Sequence, residues 1–86
     1  MFYTTRQGRS YHLERDFSSA ERHLLQKLFI WQEMAGSVEE FRRRTREALL
    51  RGWGDSGPIR PGRTLQEMLT DLEGRVAQRL GMGKPA

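Results

Sequence analysis

Apolar residues recur every three or four positions in three segments of the chain, and each segment is bracketed by signals for helix ends. Each segment begins at a serine or threonine followed three residues later by glutamate, the capping-box spacing that satisfies the first free backbone N–H groups. Each ends at a glycine, which favours the turn beyond a helix. The starts are Ser18, Ser37 and Thr64, and the stops are Gly36, Gly52 and Gly81. The pattern predicts helices at about 18–35, 37–52 and 64–80.

The first predicted helix is apolar on more sides than one neighbour can bury. Leu25 and Phe29 project away from its main apolar stripe, and Ile30 lies on a third side beside Trp31. A helix that is apolar almost all round is buried on several sides. Exposing Phe29 would forgo roughly 1.5–3 kcal/mol of burial. We therefore predict an interface formed by Leu25, Phe29, Ile30 and Trp31.

The three helices predict a mainly α fold, and residues 1–86 are predicted to form a single small domain. Residues 1–17 are β-prone, with a turn signal at Gln7-Gly8 and an alternation of polar and apolar residues over 10–14. They predict a short N-terminal β strand or hairpin. Residues 53–63 are rich in glycine and proline and predict a loop that Trp53 pins to the core. Residues 82–86 are expected to form a frayed tail.

The size of the chain favours self-association. A chain of 86 residues with 36% hydrophobic residues buries only roughly 60–65% of the surface that its unfolded form exposes. Small domains often complete their core with a disulfide, a metal or a second copy. Cysteine is absent, so a disulfide is excluded and a homodimer is the leading expectation.

Candidate catalytic and metal-binding residues are sparse. His12 and His23 are the only histidines and do not share a helical face, so we predict no metal site and no cofactor. Residues 54–58 spell Gly-Asp-Ser-Gly-Pro, as around the nucleophile of chymotrypsin-like proteases, but the chain has no room for that fold or its distant histidine and aspartate. We expect a binding module rather than an enzyme.

Charge permits a nucleic-acid partner without requiring one. The formal net charge is +4, and thirteen of the fifteen basic residues are arginine. Arginine suits phosphates and carboxylates because its guanidinium is planar and bidentate. A compositional bias of the genome would give the same excess, and both explanations stay open.

The second predicted helix carries most of the basic cluster, at residues 42–46. Its favourable i,i+4 pairs would join Glu39 to Arg43, Glu40 to Arg44 and Glu47 to Arg51. This arrangement leaves Arg42 and Arg46 without an acid one turn away. They are predicted either to be solvated, to bind an anion or to meet acids on a partner chain.

Residues 10–53 run in the order short alternating strand, helix, Gly-Ser break and helix, with residues 36–50 reading GSVEEFRRRTREALL. This stretch resembles ribbon-helix-helix regulators and antitoxins. The resemblance implies two chains that pair their strands, insert the ribbon into the major groove and hold a DNA phosphate at the N-terminus of the second helix. Glu14 departs from the pattern, since an acid facing DNA is unfavourable. The residues expected to touch nucleic acid or another anion are Arg6, Arg9, His12, Ser37, Arg42 and Arg46.

A second function class remains open beside a basic, dimeric DNA-binding regulator. The chain would then be a protein–protein adaptor, inhibitor or accessory subunit, of the kind common in mobile elements and operons, acting through an exposed apolar helix face. No stretch approaches the roughly 18 apolar residues of a membrane span. Residues 1–10 also lack the apolar core of a secretory signal. We therefore expect a cytoplasmic protein without a membrane partner.

Overall fold

A computed structural model of the chain describes residues 1–81 and contains an N-terminal hairpin followed by helices. The elements are β1 (Phe2–Thr4), β2 (Ser10–His12), α1 (Leu13–Asp16), α2 (Ser19–Met34), α3 (Val38–Arg51), a single 3-10 turn (Gly54–Ser56) and α4 (Arg63–Arg79). The mainly α prediction with an N-terminal β element is confirmed. Residues 1–81 contain four α-helices rather than three, because the short α1 was not predicted. The predicted tail at 82–86 lies outside the described residues.

The hairpin is formed within one chain. Strands β1 and β2 are antiparallel, with Tyr3 opposite Tyr11, and Gly8 takes a φ of +90° in the connecting turn. A positive φ costs glycine little, so the predicted turn signal has a direct role. The order of hairpin and helices is compatible with the ribbon-helix-helix layout. Here, however, both strands belong to the same chain.

The predicted alternation over residues 10–14 stops early because α1 begins at Leu13. The Asp16 carboxylate accepts a hydrogen bond from the backbone N–H of His12 at 2.7 Å. This bond joins the last residue of β2 to the single turn of α1. Glu14 therefore lies on a helix rather than on the strand.

Two of the three predicted helix starts are confirmed in detail. Ser18 forms a complete capping box with Glu21 at the start of α2, and the Ser37 hydroxyl accepts the Glu40 N–H at the start of α3. The predicted cap at Thr64 is wrong. Helix α4 begins one residue earlier, after Gly62, whose carbonyl accepts the Gln66 N–H at 2.9 Å. Thr64 is therefore already inside the first turn.

The core lies where the apolar stripe of α4 meets both α2 and α3. Its large, fully buried side chains are Leu25, Leu28, Phe41, Leu65, Met68, Leu72 and Val76. Burial of this kind contributes about 25 cal/mol for each Å² of apolar surface removed from water. Helix α4 therefore holds the two preceding helices together.

Most of the residues predicted to form an interface on α2 are covered by other parts of the same chain. Leu25 is 1% exposed and belongs to the core, so its assignment to an interface is wrong. Phe29 is half-buried under the hairpin, where it stacks on Tyr3 with ring centroids 5.5 Å apart. Trp31 is half-buried against the core. Ile30 alone of the four is exposed, at 58%. The all-round apolar pattern arises because α3, α4 and the hairpin cover different sides of α2.

Candidate functional site

The two arginines predicted to contact nucleic acid from the hairpin are paired with acids of α4. The Nε of Arg6 lies 3.0 Å from Asp71, and the Nη1 of Arg9 lies 2.7 Å from Glu67. The Tyr11 hydroxyl also donates to Glu67. The third predicted residue of this segment, His12, packs edge-on against Phe2. The hairpin cations are thus largely neutralised within the chain.

Asp71 is the centre of the contact between the hairpin and α4. It is 2% exposed and accepts hydrogen bonds from the Arg6 backbone and side chain, the Tyr3 hydroxyl and the Arg75 guanidinium. Burial by itself raises the pKa of Asp71, but these hydrogen bonds outweigh it and lower the pKa to about 2. Burial and the bond to Asp71 raise the pKa of Tyr3 to about 12. A fully bonded, ionised carboxylate in this position anchors structure.

The arginines of α3 pair differently from the sequence prediction. Arg42 was predicted to have no acid one turn away on its own helix, and its Nε instead lies 3.1 Å from Glu73 of α4. Of the three predicted i,i+4 pairs, the structure of residues 1–81 shows the one between Glu40 and Arg44, at 3.6 Å. Arg46 has no ion pair within the same residues. The partner of Arg42 is on another helix, which local spacing cannot reveal.

Ser37, Arg42 and Arg46 do come together, in a shallow concavity on α3 that also contains Glu39 and Glu40. The helix N-terminus there is already occupied. The Ser37 hydroxyl accepts the Glu40 N–H at 3.0 Å, and the Glu40 carboxylate accepts the Gly36 N–H at 2.8 Å. A phosphate at Ser37 would therefore have to displace the carboxylate of Glu40.

A second concavity, lined by both tryptophans as well as by charged side chains, lies between α2 and α3. It is a cleft of about 490 Å³, within the roughly 300–1,000 Å³ typical of ligand sites. Its lining residues are Ala20, Leu24, Lys27, Trp31, Arg43, Arg44, Glu47, Ala48, Arg51, Gly52, Trp53 and Ile59. Four of these side chains are cationic and one is acidic. We call this feature the α2–α3 cleft.

Both tryptophans of the chain line the α2–α3 cleft. Trp53 is stacked on His23, with ring centroids 4.1 Å apart and planes within 7° of parallel. The Nζ of Lys27 lies 5.3 Å from the Trp53 ring, and the Arg44 guanidinium lies 5.7 Å from the Trp31 ring. These separations are within the range of cation–π contacts. The cleft thus combines aromatic surface with positive charge.

The cations of the cleft differ from those of the hairpin in having few acids nearby. Lys27, Arg43 and Arg51 make no ion pair within residues 1–81. Glu47 is the single acid of the lining, and Arg44 is paired with Glu40. Helix α3 as a whole carries five arginines against three glutamates. The excess positive charge of the described chain is therefore concentrated on this helix.

Sequence reasoning did not identify the α2–α3 cleft. Arg43 and Arg51 were assigned to local pairs, Trp53 was expected to pin the loop to the core, and Lys27 was given no role. Trp53 is instead 44% exposed at the cleft. One local feature of the sequence could have indicated the cleft: Trp53 directly follows Gly52, the glycine that ends the arginine-rich helix α3. The packing of α2 against α3 that brings Lys27 into this lining is a tertiary property.

Ile30 belongs to a small apolar stripe on the outside of α2. It is 58% exposed, and Met34, one turn later on the same helix, is 69% exposed. This stripe is what remains of the predicted interface once the intrachain contacts of Leu25, Phe29 and Trp31 are taken into account.

Comparisons with protein-family models, with curated proteins and with solved structures give no match for this chain. No helix within residues 1–81 is both long enough and apolar enough to cross a membrane. The same part of the chain has no group of three acidic or histidine side chains placed to hold a metal ion.

Proposed function

We propose that this chain is a non-catalytic module that binds nucleic acid through α3 and the α2–α3 cleft. The observation that carries the proposal is the contrast between two sets of cations. Those of the hairpin are paired with acids of α4, whereas Lys27, Arg43, Arg46 and Arg51 have no ion pair within residues 1–81. Cations without internal partners are available to replace the counterions of a phosphate backbone.

The chemistry of the cleft supports binding rather than catalysis. Its lining includes no hydroxyl or thiol side chain and a single carboxylate, Glu47. The ring of His23 is stacked on Trp53, and its Nδ1 donates to the Ser19 carbonyl at 2.8 Å. A nucleophile paired with a general base, the arrangement that covalent catalysis uses, has no candidate among these residues.

A ribbon-helix-helix regulator would be a more specific version of this proposal. The ion pairs of the hairpin, however, favour α3 rather than the hairpin as the surface that contacts phosphates. A ribbon in the major groove would draw on Arg6 and Arg9, which would have to leave Asp71 and Glu67. Asp71 is buried, so separating it from Arg6 is costly because it leaves a charge without compensation. We therefore propose that α3 makes the main phosphate contacts.

Fluorescence anisotropy with labelled duplex and single-stranded oligonucleotides at low salt tests the proposal. We expect binding by the wild type and a substantial loss of affinity when Arg43 and Arg46 are both changed to glutamine. The matched control changes Arg15 and Arg63 to glutamine, which removes the same charge from exposed positions outside the cleft. Absence of binding at low salt, or equal losses in both double variants, would refute the proposal.

A second candidate function, protein contact by a homodimer or an adaptor, is favoured by the exposed stripe of Ile30 and Met34. Changing both residues to aspartate should abolish self-association measured by light scattering. The matched control is Leu50→Asp, which alters an apolar residue on α3 that is 71% exposed. A monomeric wild type would exclude the homodimer.

A further inference from the structure

We propose that the α2–α3 cleft binds the unpaired bases of a single-stranded nucleic acid, a more specific inference that rests on the proposed function. The chain places both of its tryptophans and three cations without ion pairs in one concave site. Single-strand binding proteins generally combine aromatic side chains that stack on bases with a positive groove that follows the backbone. The α2–α3 cleft contains both components.

The aromatic component is held in place before any ligand arrives. His23 stacks on Trp53 almost in parallel, and Trp31 packs against the core while Arg44 lies over its ring. Side chains fixed in this way lose little conformational freedom when a base stacks on them. Their position in a cleft therefore favours a planar, aromatic ligand group.

The cationic component is arranged to accept the phosphates of the same strand. Lys27 is contributed by α2, whereas Arg43 and Arg51 lie two turns apart on α3. The three positive groups thus belong to both walls of the cleft. Arg44 is less available, because it is paired with Glu40. A base stacked at Trp53 would bring its neighbouring phosphates close to Lys27, whose Nζ lies 5.3 Å from that ring.

A duplex fits this site poorly. Its bases are stacked on one another and present their edges to the grooves, so their faces cannot reach an indole inside a cleft. An acidic peptide without aromatic residues, such as polyglutamate, could satisfy the cations but offers no planar group to stack on the tryptophans. The combination of charge and aromatic surface therefore favours an unpaired strand over either ligand.

Intrinsic tryptophan fluorescence gives a direct readout, because the only two tryptophans both line the cleft. The full chain is titrated with a short oligothymidylate, the matching duplex, inorganic polyphosphate and polyglutamate. We expect saturable quenching by oligothymidylate and little quenching by the duplex or polyphosphate. Trp53→Ala should weaken oligothymidylate binding about fivefold or more, as loss of one stacked base would. Phe2→Ala, which removes an exposed aromatic side chain from the hairpin, should have no effect.

The outcomes separate this inference from the proposed function. Equal affinity for oligothymidylate, duplex and polyphosphate without quenching would overturn the single-strand inference and leave nucleic-acid binding intact. No binding of any nucleic acid at low salt, or equally tight binding of polyglutamate, would overturn both. If Trp53→Ala does not fold, the quenching of the wild type and the affinity of Trp53→Phe decide the question, since phenylalanine retains a stacking ring.

Discussion

The Tyr3 hydroxyl donates a hydrogen bond to the Asp71 carboxylate at 2.5 Å, across 68 residues of sequence. The Nε of Arg75 donates to the same hydroxyl at 2.6 Å and to Asp71 at 3.0 Å. This network joins the first strand to the last helix. Because the hairpin also covers Phe29 of α2, the network helps to close the core from outside. It also removes Arg6 from the set of cations available to a ligand.

Replacing Asp71 with asparagine should destabilise the fold by about 2–3 kcal/mol, because it leaves two partly buried guanidinium groups without their carboxylate. Tyr3→Phe removes one charge-assisted hydrogen bond and should cost less, about 1–2 kcal/mol. The measurement is the free energy of unfolding from urea denaturation. An Asp71→Asn variant as stable as the wild type would contradict the anchoring role.

The free energy of unfolding should decrease at acidic pH, because the Asp71 carboxylate becomes protonated there. The pKa of Asp71 is lowered in the fold from 3.8 to about 2. Its contribution is therefore fully present above the unfolded pKa and is lost as the pH falls through the folded one. We expect about 2 kcal/mol of the wild-type unfolding free energy to disappear between pH about 4 and about 2. Asp71→Asn should lack this component when both proteins are denatured across that pH range, and parallel curves would refute its assignment to Asp71.

Gly74 has a specific role in the middle of α4. A Cβ atom at this position would clash with the guanidinium of Arg6. Glycine inside a helix costs roughly 1 kcal/mol relative to alanine, so Gly74→Ala should be stabilising once Arg6 is absent. In an Arg6→Ala background we expect a gain approaching 1 kcal/mol, and in the wild type a smaller gain or a loss. A double-mutant cycle by thermal unfolding measures the difference, and strictly additive effects would show that the two residues do not interact.

Local signals in the sequence located α2, α3 and α4, although they missed α1 and the start of α4, and they failed where a partner comes from another element. Ser18 and Ser37 were identified as caps because a capping residue bonds to its own first turn. Leu25 and Phe29 were correctly recognised as residues that need burial. Periodicity shows that a helix face is covered but does not show by what, so intrachain contacts were mistaken for an interface.

The same limit applies to the candidate site. The pair between Arg42 and Glu73 was not predicted because Glu73 lies 31 residues later, on α4. The α2–α3 cleft depends on the packing of two helices and on the return of Trp53 towards His23. The spacing of residues along a single helix predicts neither the pair between Arg42 and Glu73 nor the cleft.

The salt dependence of oligothymidylate affinity tests nucleic-acid binding by the cleft most directly. For single strands the log–log slope of affinity against salt is roughly −0.7 for each phosphate neutralised. We expect a steep slope for the wild type and a slope shallower by about 1.4 when Arg43 and Arg51 are both changed to glutamine. The control with Arg15 and Arg63 changed to glutamine should keep the wild-type slope. A cleft variant with the wild-type slope, or a wild type whose affinity does not respond to salt, would contradict the account.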